Sequence, residues 1–188
     1  MLAVGLSVLA AVLTALYPLV LWFGQGRVEP RHLALLLVVL ALARLPALKV
    51  GGSARYLVAG ALLLAGAAVL ANAALPLKLY PVLVNAALLA AFGASLASPQ
   101  SMIERLARLR EPDLPPAAVA YTRNVTKIWC GFFAVNGTIA LVTALWMSAA
   151  AWSLYNGVIA YVAMGVLFGV EYLVRLRFKR LHSVLPHA

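Results

Sequence analysis

The sequence predicts an all-α polytopic membrane protein: about six transmembrane helices and a cytoplasmic amphipathic helix. Composition is the first reason. Of 188 residues, 65% are hydrophobic and 11% charged, whereas soluble domains are about 45–50% apolar and about 25% charged. The second reason is distribution, because the apolar residues form long unbroken runs suited to a bilayer's hydrocarbon core. The third is charge. A net charge of +10 in a soluble protein would suggest nucleic acid. Here Lys and Arg gather between the apolar runs, where retention in cytoplasmic loops and attraction to anionic headgroups explain them. No nucleic-acid partner is expected. No polar segment is long enough to build its own core, so residues 1–188 read as one membrane domain.

Residues 2–23 form the first run, interrupted by Pro18 and ending in the interfacial Trp22. It has no early Lys or Arg and is too long for a secretory h-region, so it is read as an uncleaved span. The polar turn 24–32 leads to 33–48, the marginal span, which contains Arg44 and Pro46. At 1.5 Å per residue its sixteen residues cover only about 24 Å. A basic Gly loop precedes the span 56–75, in which Gly60 and Gly66 suit close helix packing. Pro76 and Lys78 turn the chain into the span 80–97.

The cytoplasmic loop 98–127 is the longest interruption. It holds Glu104, Glu111 and Asp113 of five acidic residues, and Arg105, Arg108, Arg110, Arg123 and Lys127 of fifteen basic ones. Ser98-Pro99 reads as an N-cap and first helical position. Met102, Ile103, Leu106 and Leu109 then share one helical face, with Arg105, Arg108 and Glu111 away from it. Glu104 and Arg108 are an i,i+4 pair. Such a helix over 98–111 suits a membrane surface, and Pro112, Pro115 and Pro116 end it. The next span, 128–146, carries Trp129, Phe132, Phe133 and Asn136 on one stripe. An uncharged turn over 147–153 precedes the last span, 154–174, with Gly165 and Gly169 in GxxxG spacing, and a basic tail, 175–188.

Counting Lys and Arg by side places the loop 98–127, the tail and the C-terminus in the cytoplasm. With six spans the N-terminus is cytoplasmic too. If 33–48 does not span, the N-terminus moves outside. The count fixes the last four spans and leaves the first two open.

No motif for catalysis appears, so no catalytic residue is assigned. His32, His182 and His187 lie far apart, and the single Cys130 excludes a multi-cysteine centre, so no metal is expected. There is no phosphate-binding Gly loop, and no cofactor is expected. Polar residues inside spans are costly in lipid and need partners. They are Asn72, Asn85, Asn136, Asn156 and Glu171. Interhelical hydrogen bonding is one reading of them and ligand contact another. Glu171 has an ion-pair partner four residues on, Arg175. The stripe Trp129, Phe132 and Phe133 serves either packing and anchoring or as the wall of an acyl-chain site. Glu104, Arg105, Arg108, Arg110, Arg123 and Lys127 serve either topology and lipid attraction or docking of an acidic partner.

The segments "LKLYPVLVNAALL", "SPQSMIERLARLREPDLPP", "YTRNVTKIWCGFFAVNGTIAL" and "LYNGVIAYVAMGVLFGVEYLVRLRFK" resemble a family of small uncharacterised bacterial inner-membrane proteins. Genes of that family lie among aryl-polyene or fatty-acid-like synthesis genes. More distantly, the order of features resembles the intracellular septation protein A (YciB-like) family. The resemblance spans about Lys78 to Lys179 and leaves the first spans uncovered. Its positions are Lys78, Pro81, Asn85, Pro99, Glu104, Arg105, Pro115, Arg123, Trp129, Phe132, Phe133, Asn136, Asn156, Gly157 and Glu171. It implies a role in envelope biogenesis, without a mechanism.

The expected function is therefore a non-enzymatic anchor or scaffold for envelope or acyl-lipid biogenesis. Its partners would be membrane lipids, and an acyl carrier protein or biosynthetic enzymes docked on the basic loop. A transporter or flippase of an acyl product, an intramembrane lipid enzyme and a septation scaffold are the alternatives, and homo-oligomerisation is left open.

Overall fold

A computed structural model describes residues 53–71 and 75–183, together with His32, Leu35, Leu36, Val38 and Val39, which are helical. The expected span 2–23, the rest of the expected span 33–48, Asn72, and the tail beyond 183 lie outside the described residues. The described residues are all-helical, with no strand among them. In chain order the helices are α1 (Ser53–Ala71), α2 (Leu75–Lys78), α3 (Tyr80–Leu96), α4 (Met102–Arg108), α5 (Pro116–Trp146), α6 (Ala149–Leu154) and α7 (Ala160–Ser183). A π-helical turn, Tyr155–Ile159, joins α6 to α7 without a break.

Three stretches are long and apolar enough to cross a membrane: Leu75–Leu96, Pro116–Trp146 and Ala149–Phe178. Proline and serine set their ends. Pro81 stands in the first turn of α3, where its missing N–H costs no helical bond. Pro115 is the extended N-cap of α5, with φ −65° and ψ 154°, the conformation required of a residue that precedes a proline. At the other end Met147 turns extended, and the Ser148 hydroxyl accepts the Ala151 N–H at 3.2 Å to start α6.

Several boundaries differ from the sequence reading. The helix expected over 98–111 starts at Met102 with Ser101 as N-cap and ends at Arg108. Ser98 is instead drawn back onto α3, where its N–H reaches the Ser95 carbonyl at 3.1 Å. Residues 117–127 belong to α5 itself, and the expected turn 147–153 shrinks to Met147–Ser148. The surface helix is thus shorter than expected, whereas the polar residues 117–127 lengthen α5 rather than breaking it.

The core lies along one face of α5. Its buried residues Thr122, Thr126, Trp129, Phe133, Asn136, Ala140 and Thr143 recur at alternating steps of four and three, the spacing of a helix-packing seam. α3 packs along that seam. At their crossing Gly137 lies so close that an added Cβ would meet the Asn85 Cβ at 3.0 Å. Gly60 of α1 similarly lies against the Leu83 side chain, whereas Gly66, Gly165 and Gly169 have no described atom within 4 Å of an added Cβ.

Candidate functional site

The seam of α5 divides into two halves of different chemistry. From Asn136 to Thr143 it is laced by amides. The Asn85 amide donates to the Pro81 carbonyl at 2.8 Å, and Asn136 Nδ2 donates to Asn85 Oδ1 at 3.0 Å. The Tyr155 hydroxyl donates to Asn136 Oδ1 at 2.8 Å. Asn156 Nδ2 donates to Thr143 Oγ1 at 3.2 Å and to the Trp152 carbonyl at 2.9 Å. Trp152, fully buried, sends its indole N–H to the Lys78 carbonyl at 3.1 Å. Tyr155 and Asn156, adjacent in the π turn, both reach α5. Three of the four predicted asparagines, Asn85, Asn136 and Asn156, therefore bond between or within helices.

From Thr122 to Phe133 the seam is aromatic. Trp129 and Phe133 are buried with Val125. Phe92 of α3 meets Phe133 edge-on at 5.2 Å, and Phe132 meets Trp129 at 5.6 Å. Phe132 itself is only half-buried. α7 reaches this half through rings: Phe168 lies 4.5 Å from Trp129, and Phe178 stacks on Tyr121 at 4.9 Å.

Residues 97–115 form an elbow folded against the aromatic half. Buried Ser95 starts it, its hydroxyl accepting the Met102 N–H at 2.9 Å. Thr126 of α5 accepts the Ile103 N–H at 3.3 Å, which pins the first turn of α4 to the seam. Ser101 and Glu104 occupy the two positions of a capping box, and Glu104 Oε2 accepts the Ser101 N–H at 3.4 Å. Glu104 is 2% exposed, and Arg108 offsets its charge with Nε and Nη2 each 2.9 Å from Oε1. The expected pair thus forms, and Arg108 also holds the Pro112 carbonyl at 2.7 Å, closing the loop after α4. Arg105 donates to the Gln100 carbonyl at 3.1 Å, and Arg123 of α5 to the Leu96 carbonyl. Lys127 is exposed, as is Arg110.

Between the elbow, α5 and α7 lies a cavity of about 700 Å³. Its inner wall is Val125, Trp129 and Phe168; α4 contributes Ile103, Leu106 and Ala107. Its outer end carries Arg110, Glu111, Tyr121, Glu171 and Arg175. Glu171 forms the expected ion pair, with Arg175 Nη2 at 2.7 and 2.8 Å from its two oxygens and Nε at 2.9 Å. The Tyr121 hydroxyl donates to Glu171 Oε1 at 3.3 Å. An aromatic end, with Val125 and Trp129 buried and Phe168 exposed, and a charged end suit an amphiphile.

The cavity brings together Arg110, Trp129 and Glu171 of the predicted residues. It does not include Arg105, Arg108, Arg123, Lys127, Phe132, Phe133 or the asparagines. Sequence reasoning missed Tyr121, Phe168, Phe178 and Arg175 as its other walls. The aromatics of the last span were visible, but nothing local says which face of α5 they meet. Among the described residues no three His, Cys, Asp or Glu side chains come together. No protein-family model, curated protein or solved structure matches the chain.

Proposed function

We propose that this is an integral inner-membrane protein that serves as a non-enzymatic anchor in acyl-lipid biogenesis. It holds an acyl chain at the cytoplasmic face of the bilayer. The cavity beside Trp129 carries this reading: its volume lies in the range of small-molecule sites, about 300–1,000 Å³, and its inner wall is apolar and aromatic. Its outer end lies beside a basic elbow, on the side that the charge count assigns to the cytoplasm. On this reading the chain has six spans, α4 rides at the membrane surface with exposed Leu106, and Leu109 just after it, toward lipid, and the C-terminus is cytoplasmic. The resemblance to proteins encoded beside aryl-polyene or fatty-acid-like synthesis genes supports the same substrate class.

The test is a groove-filling substitution. Ala118 lines the cavity and is half-buried, so Ala118→Trp places an indole in the space without removing any bond described above. Native mass spectrometry of the purified protein should show a one-to-one acyl-lipid adduct, reduced at least about tenfold in Ala118→Trp, a loss of about 1.4 kcal/mol in binding. Equal adduct in a variant with unchanged unfolding midpoint would overturn the proposal. Leu114→Trp, from the neighbouring wall, repeats the measurement independently of α5.

A further inference from the structure

We infer that the cavity selects a single-chain acyl carboxylate, with the acid group held by Arg110 and the chain directed toward Trp129. This rests on the proposal that the cavity holds an acyl chain, and adds what kind of molecule carries it.

Volume sets the number of chains. A liquid water occupies roughly 30 Å³, and a methylene is of similar size. A cavity of about 700 Å³ therefore holds roughly two dozen heavy atoms at that density. One long chain with a small headgroup fits. A diacyl phospholipid has about twice as many atoms and would leave one chain outside.

Charge sets the headgroup. Of the two arginines at the outer end, Arg175 is occupied by Glu171, whose carboxylate is satisfied by that guanidinium and the Tyr121 hydroxyl. Glu111 also reaches this end, but another group already engages it. Arg110 differs. Its backbone N–H completes the turn after α4 by reaching the Ala107 carbonyl at 3.0 Å, while its guanidinium has no hydrogen-bond or ion partner among the described residues. One uncommitted cation at the polar end of an apolar cavity complements one anion, and a guanidinium takes a carboxylate in bidentate fashion. The contrast within the elbow sharpens this. Arg105, Arg108 and Arg123 each bond a backbone carbonyl, so their charge is spent on holding the elbow together, and Arg110 is the one that faces the cavity.

The experiment titrates the full-length protein in a non-ionic detergent with hexadecanoate, monohexadecanoylglycerol, a hexadecanoyl lysophosphatidate and a diacyl phosphatidate. Stoichiometry and affinity are read by native mass spectrometry. Hexadecanoate should bind one to one and more tightly than the neutral glyceride of the same chain. Arg110→Gln should weaken hexadecanoate about tenfold or more and leave the glyceride unchanged, because only the charge-assisted bond is lost. Arg110→Lys should recover part of the affinity. Equal binding of acid and glyceride, unmoved by Arg110→Gln, would overturn the carboxylate assignment while the chain-holding function stands. Tighter one-to-one binding of either phosphate lipid would also overturn it, in favour of a phosphate headgroup. No binding of any chain would overturn both.

Discussion

The two halves of the α5 seam solve the same packing problem with opposite means. In the amide half, Gly137, Ala140 and short polar side chains bring helices close, and Asn85, Asn136 and Asn156 each give an amide N–H to a neighbouring backbone or side chain. In the aromatic half, Trp129 and Tyr121 meet Phe168 and Phe178, and rings rather than backbones span the gap to α7. Rings of fixed shape cannot fill every space between them, and a cavity remains. The lesson is that the polar residues within these spans mark the closed part of the bundle. The open part is marked by large apolar residues next to a charged elbow.

Trp129→Ala should break this contrast most strongly. The indole is 4% exposed and touches Phe132, Phe133 and Phe168. Its removal should cost about 3–5 kcal/mol, read from the denaturant-induced unfolding midpoint in micelles. It should also abolish the acyl-lipid adduct. Unchanged stability would show that the aromatic half is not a packed core.

Glu104→Ala comes next. It removes the N-cap acceptor of α4 and strands Arg108, a loss of about 1.5–3 kcal/mol for bonds to a charged group. Glu104→Gln, which keeps an acceptor for Arg108, should lose less. Proteolysis near Pro112 should speed up in the alanine variant as the elbow loosens. Equal loss in both variants would show that the side chain's volume matters and its bonds do not.

Asn136→Leu should have a smaller effect despite removing bonds to both Asn85 and Tyr155. Interhelical hydrogen bonds in membranes average about 0.6 kcal/mol and reach about 1.7 kcal/mol. The acyl-lipid adduct should be unchanged, since Asn136 lies outside the cavity. A double-mutant cycle with Tyr155→Phe isolates the pair, and additivity would mean the bond contributes nothing. Loss of the adduct in Asn136→Leu would erase the distinction between the two halves. Lys127→Gln, at an exposed position, should move stability by no more than about 0.5 kcal/mol and serves as the reference for surface charge.

Much of this protein is readable without coordinates because hydropathy, helical period and chain breaks are local. The runs around 80–97 and 128–146, the stripe of Trp129, Phe133 and Asn136, and the pairs Glu104–Arg108 and Glu171–Arg175 are visible at spacings of a few residues. Fine boundaries were less legible. Ser98 and Ser101 are both good N-cap residues, and tertiary packing chose between them: the Ser95 hydroxyl takes the Met102 N–H and Thr126 takes the Ile103 N–H. Ser95 and Thr126 carry no local mark of this role, yet they attach the elbow. Their only sequence signal is that Thr126 shares the four-and-three spacing of the seam.

By itself, then, the chain's sequence determines an all-helical protein with apolar stretches long enough to cross a membrane, because each helix satisfies its own backbone and needs no partner to be recognised. Tertiary structure alone decided which polar residues are committed and which are not. Asn85 meets Asn136 and Tyr121 meets Glu171 across about fifty residues, and such distances carry no periodic signal. The division of labour among the arginines was decided at the same level, by which carbonyls the folded elbow brings within reach.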